Sequence, residues 1–254
     1  MNNSISVVTI NYNNVKGLVE TCNSIFSQTY KNFEFIVIDA FSNDGSIEFL
    51  ENRENRIDKL VIEKDNGIYD AMNKGKELAS GDWIIYMNSG DEFYNSRVLE
   101  STASYLRQTQ AGVVYGNVNI KYDNKYSKIK KCKNLNFKDG MPFCTQSVFI
   151  SKKHLIFNSF STEYKVFGDL DYFFDLHSKD IKMEYINSII SNFDYNGISS
   201  KFNFVHEFEK FKVLKKYNKL YAYLYLPSIL DRFGRHVLKK LLPTSLKRKI
   251  QLIK

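Results

Sequence analysis

The chain has 254 residues, 43% hydrophobic and 15% aromatic, enough for one large α/β domain with an appendage and a real core. Three prolines, twelve glycines and the lack of any internal repeat or low-complexity run exclude a disordered or solenoid protein. The formal charge of +8 suits nucleic acid, an anionic membrane or an anionic substrate, so its placement must decide.

Much of that charge is at the end. From Arg232 onward, Arg235, Lys239, Lys240, Lys247, Arg248, Lys249 and Lys254 face no acidic residue. Cys22, Cys132 and Cys144 have the spacing of neither a zinc site nor a disulfide framework, which fits a reducing cytosol. MNNSISVVTINYNN reads as a first strand rather than a signal peptide. No apolar run reaches the roughly 18 residues of a membrane span, so a cytoplasmic protein, peripheral on the inner face of the membrane, is expected.

Apolar runs bounded by turn residues predict strands at Ile5–Ile10, Phe33–Asp39, Lys59–Glu63, Trp83–Met87, Val113–Ile120, Ser147–Ile150 and Met183–Ile190. Helical patterns over Val15–Ser27, Ser46–Arg53, Ile68–Ala79 and Arg97–Gln108 alternate with the first of them, as in βαβ units with a mainly parallel sheet. A helix from Phe204 to about Tyr217 follows, then a Tyr- and Leu-rich basic tail broken at Pro227 and Pro243. The expected division is a catalytic domain over 1–219 and an amphipathic basic helical tail over 220–254.

Ligands of open α/β sheets bind beyond the carboxyl ends of the strands. Those ends here are Thr9–Asn11, Asp39 and Asn88–Asp91. Asp39 can accept from a base N–H or ribose hydroxyls, whereas Asp44 or Ser42 reads better as a cap for the helix at Ser46. In KDNGIYDAMNKGKELASGDWIIYMNSGDEF, one helical turn brings together Asp70, Asn73 and Lys74; alone they would be a solvated face. The following strand delivers Asp91 beside Gly90, where a lone carboxylate could share a hard cation with substrate phosphates; a plain turn is the structural alternative.

The order Thr9, Asp39, Asp65-Asn66-Gly67-Ile68-Tyr69-Asp70-Ala71-Met72-Asn73-Lys74-Gly75, Gly81-Asp82-Trp83 and Asn88-Ser89-Gly90-Asp91 resembles family 2 glycosyltransferases of bacterial surface-polysaccharide and O-antigen pathways. The likeness covers roughly residues 4 to 200. It implies a GT-A fold, inversion at the anomeric carbon, and a UDP- or other nucleotide-sugar donor. Donor contacts would come from Thr9, Asn11, Asp39, Asp65, Asp70, Asn73, Lys74, Asn88 and Ser89, with Mn2+ or Mg2+ on Asp91. Asn88 stands where many members have a first Asp, which predicts a weaker hold on the metal, and Ala40-Phe41 replaces a small or acidic pair. GDLD resembles the family's ED-like base motif with Gly168 in the Glu position, so Asp169 matches the base and Asp171 is the reserve. Gln146 resembles an acceptor-side position, and Tyr195 to Ser200 the family's Gly-Ile-Ser loop.

Spacing alone does not choose between base and helix cap for Asp169, and a buried strand Gln satisfied by backbone competes for Gln146. The four histidines have no paired metal-ligand spacing. The tail has the composition of an interfacial helix on anionic lipid, against which stands a basic helix packed on its own domain. A saccharide or lipid-linked glycan is the expected acceptor. A sugar-nucleotide nucleotidyltransferase would show a Gly-rich phosphate loop, which NYNNVKG is not. A nucleic-acid-binding protein is disfavoured by the acidic strand ends, so no nucleic-acid partner is expected.

Overall fold

The computed structural model describes residues 4–122, 126–138, 140–155, 158–195 and 203–241, with side chains described as far as residue 235. In chain order the elements are β1 (Ile5–Asn11), α1 (Val15–Phe26), β2 (Phe33–Asp39), α2 (Ser46–Glu51), β3 (Lys59–Ile62), α3 (Ile68–Leu78), β4 (Trp83–Tyr86), β5 (Glu92–Phe93), α4 (Val98–Leu106), β6 (Val113–Lys121), β7 (Ser127–Lys130), β8 (Val148–Ser151), α5 (Lys152–Leu155), α6 (Gly168–Ser178), β9 (Met183–Asp194), α7 (Phe204–Tyr217) and α8 (Lys219–Leu241). A 3-10 turn covers Thr145–Ser147.

One sheet runs β3-β2-β1-β4-β8-β6-β9-β5, with β7 paired to β6. The β3-β2-β1-β4 half is parallel throughout. Beyond it, β8 is antiparallel to β4 and β6, while β6 and β9 are parallel. Every residue of β1 is buried, as befits a strand covered on both faces. One face packs Leu18, Cys22 and Ile25 of α1 and Leu99 of α4. The other packs Tyr69 and Met72 of α3, Leu170 and Phe173 of α6 and Val213 of α7.

Phe33–Asp39 is a strand over its expected length. β9 runs on to Asp194, because Ser191–Asp194 pair with β6 at Val118–Lys121. Ala222 and Tyr225 of α8 are buried in the α6–α7 core, so the first turns of the expected tail pack on the domain. Lys247, Arg248, Lys249 and Lys254 lie outside the described residues. Among the described residues no helix is long and apolar enough to cross a membrane.

Candidate active site

The parallel strands end together at one edge. Register pairs Asn11 with Asp39, and the Asp39 carboxylate accepts from Asn11 Nδ2 at 2.7 Å, Ser42 N at 2.7 Å and Ser42 Oγ at 2.9 Å. Asn11 Oδ1 is buried without a hydrogen-bond partner. Thr9 does not offer its hydroxyl to a ligand: it is fully buried and donates to the Met87 carbonyl at 2.8 Å, tying β1 to the end of β4. Asp44 caps as expected, accepting from Ser46 N at 3.2 Å, and also takes Val15 N at 2.7 Å at the start of α1. Ser42 instead supports Asp39.

Two exposed aromatics follow the ends of β1 and β2: Phe41, in the Ala40-Phe41 pair noted in the sequence, and Tyr12, which the sequence reading missed. Tyr12 is 67% and Phe41 59% exposed. Phe41 has φ of +60°, a left-handed conformation costly for a bulky side chain and concentrated at functional sites. It lies two residues after Asp39.

The Asn88–Asp91 turn is held from α1. Thr21 Oγ1 accepts from Gly90 N at 3.0 Å and lies 2.6 Å from the Asp91 carbonyl and 3.2 Å from that of Asn88. Asn14 caps α1 through Gly17 N and donates Nδ2 to the Ser89 carbonyl at 3.0 Å. Gly90 sits at φ of +102°, a conformation glycine adopts without strain. Asp91 is buried, and its Oδ1 accepts from Asp194 N at 3.2 Å. Burial pushes the Asp91 carboxyl up to about 8, with the Asp194 and Glu92 charges adding to it.

These residues fit a divalent cation. Asp91 is a carboxylate short of positive charge, and Asn88 Oδ1 is a buried oxygen with no donor. Among the described residues no three His, Cys, Asp or Glu converge to cage an ion.

On the far side, Asp169 opens α6. Its Oδ2 accepts from Thr145 Oγ1 at 2.7 Å, and its Oδ1 from Leu170 N at 2.8 Å and the Tyr69 hydroxyl at 3.3 Å. Burial outweighs these donors and raises its carboxyl above the ordinary range. The residue therefore takes one free backbone N–H of the first turn and is held by two hydroxyls besides, so cap and base readings share one geometry.

Gly168 has no room for the family's Glu. A Cβ there would meet Tyr69 Cε2 at 2.7 Å and the Ser161 carbonyl at 3.0 Å. Gly168→Glu is expected to destabilise by about 1–3 kcal/mol through overpacking, read as a lower urea midpoint; an unchanged midpoint would refute the steric account.

Asp171, the reserve, is engaged elsewhere. Its Oδ1 lies 2.7 Å from Lys216 Nζ and accepts from the Tyr217 hydroxyl at 3.2 Å, locking α6 to α7. Its carboxylate is thus engaged in the α6–α7 contact, whereas that of Asp169 is not. A further carboxylate, Glu209 of α7, accepts from Lys165 N at 2.9 Å, Val166 N at 3.0 Å and Phe167 N at 3.4 Å. It fixes the backbone just ahead of Asp169.

The α3 residues divide. Asp65 accepts from Gly67 N at 2.9 Å, and Asp70 from Asn66 N at 2.9 Å, so both shape the turn entering α3. Lys74 pairs with Glu63 at 2.8 Å and Asp70 at 3.6 Å. Asn73 is committed to the Phe160 backbone, donating to O and accepting from N at 2.9 Å each; it ties α3 to the segment before α6. Gln146 is buried and accepts from Cys144 Sγ at 3.0 Å. Burial holds the Cys144 thiol far above its ordinary range, and the Asp91 and Asp169 charges both add to this. The segment before β8 thus lies within electrostatic reach of both carboxylates. The Gly-Ile-Ser loop residues after Tyr195 lie outside the described residues.

A sheet covered on both faces, with carboxylates at two strand ends and a third opening a later helix, has the architecture of a GT-A nucleotide-sugar transferase. Residues 6–170 match the family described as Glycosyl transferase family 2, to which this chain belongs as a glycosyltransferase. It is 26% identical over 196 residues to the PGL/p-HBAD biosynthesis glycosyltransferase of Mycobacterium tuberculosis, covering 74% of this chain and 76% of that protein. It superposes on S. aureus TarS 1–349 with a TM-score of 0.65 at 17% identity, covering 84% of this chain and 63% of that one. It spans less than two thirds of that structure. A mannosyltransferase from Pyrobaculum calidifontis, solved with GDP-Man and Mn2+, superposes with a TM-score of 0.62 at 14% identity over 98% of this chain and 79% of that one.

Proposed function

We propose that the protein moves one sugar from a UDP-sugar to a saccharide or lipid-linked acceptor of a bacterial surface glycan, such as O-antigen, with inversion at the anomeric carbon. The reading rests on one observation: the buried Asp91, just after β4, and the half-buried Asp169, in the first turn of α6, both act electrostatically on Cys144, whose neighbour Thr145 bonds Asp169. TarS has also been solved in complex with UDP-GlcNAc, which supports the choice of base. The site would work at the cytoplasmic face of an anionic membrane.

In this reading Asp39 and Asn11 meet the base and ribose, with the exposed faces of Tyr12 and Phe41 available for stacking. Asp91, with Asn88 beside it, would hold Mn2+ or Mg2+, which supplies positive charge for the diphosphate leaving group. Asp169 takes the proton from the acceptor hydroxyl as its oxygen bonds to the anomeric carbon opposite the diphosphate. Thr145 and Tyr69 favour the ionised form of that carboxylate against the opposing effect of burial, and fix its direction. No covalent enzyme intermediate is formed.

The test is a thermal-shift screen of the purified protein against UDP, GDP, CDP and dTDP, each with manganese, magnesium or EDTA. A ligand at 100 times its Kd stabilises by about 2.7 kcal/mol, a shift of several degrees for a chain of this size. UDP with manganese is expected to give the largest shift. If no nucleotide shifts the midpoint under any condition, the donor reading is lost.

A further inference from the structure

α7 has two sides of opposite character. Its inward side carries both of its acids: Glu209 holds the 165–167 backbone, and Glu207 pairs with Arg232 at 3.0 Å and with the Tyr225 hydroxyl. Its outward side carries Phe204, Val205 and Phe208, which are 55%, 55% and 58% exposed. α8 continues the apolar surface with Leu220, Tyr223 and Leu230, and the rings of Phe204 and Phe233, 5.0 Å apart, join the two helices.

The exposed charges beside those α7 residues are cationic, and the exposed acid of α8, Asp231, is paired with Arg235. Lys212 places its ammonium 5.0 Å from the Phe208 ring centre, and Lys215 and Lys219 are exposed nearby. Exposed apolar side chains on a helix whose acids are buried, with Lys212 and Lys215 exposed beside them, match the boundary of an anionic bilayer in both polarity and sign.

We propose that the outer faces of α7 and α8 form one docking surface for an anionic lipid bilayer, with Phe204, Val205 and Phe208 entering the acyl boundary. This deepens the proposed membrane role and rests on it for its purpose: it moves the contact from the basic tail into the helix that fixes the base. Glu209 and Lys216 connect α7 to the backbone before Asp169 and to α6. Seating α7 therefore sets the height of Asp169 above the bilayer, where the head of a lipid-linked acceptor would be.

The experiment is co-sedimentation of the full chain with phosphatidylcholine vesicles, with and without phosphatidylglycerol. Wild type is expected to partition onto the phosphatidylglycerol vesicles and to be released by high salt. The double variant Val205→Ser, Phe208→Ser should bind them at least about tenfold more weakly, since it removes apolar area that the bilayer would cover. Both positions are exposed, so the variant's unliganded melting midpoint should match wild type.

A chain truncated after Leu241 should retain part of the binding. Undiminished binding by the double variant overturns the proposal, as does a wild type that ignores both vesicle types. So does a wild-type dimer, seen by sedimentation velocity, that the double variant dissociates, because the face would then belong to a second copy. Vesicle binding that is normal in a protein showing no nucleotide-dependent shift would sink the donor reading and leave this surface standing.

Discussion

Asp169→Asn is expected to cut sugar transfer by about 10² to 10⁴-fold, the range of a positioned general base, while the shift produced by UDP and manganese stays at its wild-type size. Asparagine has the same shape, and its Oδ1 can still accept from Leu170 N or Thr145 Oγ1, so the fold should survive. What is lost is the anion that takes the acceptor proton. An active Asn variant would refute the assignment.

The pH dependence of the wild type provides a second reading of the same group. Burial raises the Asp169 carboxyl above the ordinary range, and the working form is ionised. Transfer is therefore full above that raised value and falls as pH drops through it, at a higher pH than an exposed aspartate would give. Thr145→Ala removes a donor that favours the charged form, so it should push the acid limb of kcat/KM to still higher pH. A limb that does not move would mean that the Thr145 hydrogen bond has no effect on the titrating group.

The sheet was legible because its strands are buried on both faces and read as unbroken apolar runs between turn residues. β5 is two residues long and β7 is four exposed residues, Ser127–Lys130, so neither has a hydrophobic period to detect. The end of β9 was hidden for the same reason: Ser191, Asn192 and Asp194 are polar and join the ladder only because β6 lies alongside. Within the site, residue type and strand-end position pointed to Asp39 and Asp91, and the resemblance of GDLD to the family's base motif pointed to Asp169. Their supports were invisible, since Thr21 meets the Asn88–Asp91 turn across nearly 70 residues and Tyr69 meets Asp169 across 100. Asn73 and Asp171 show the converse limit. Helical spacing placed Asn73 near the site and the resemblance of GDLD placed Asp171 there, but which backbone or ammonium would engage them depended on the packing of distant segments.

Asp91→Ala should abolish the manganese-dependent part of the nucleotide shift, about 2.7 kcal/mol at a hundredfold excess over Kd, together with turnover. Asp91→Asn separates charge from structure: its Oδ1 can still accept from Asp194 N, and it replaces a carboxyl whose ionisation burial and the Asp194 and Glu92 charges already disfavour. Its midpoint in EDTA should therefore be no lower than wild type, although the metal-dependent shift is lost. Asn88→Asp tests the same site in the opposite direction. Asn88 Oδ1 is buried with no donor, so a carboxylate there would face Asp91 without compensation, lowering the midpoint in EDTA and tightening manganese in the presence of UDP. If both variants keep the wild-type shift, the cation is not held at the end of β4, and the positive charge for the leaving group must come from the protein's own lysines and arginines.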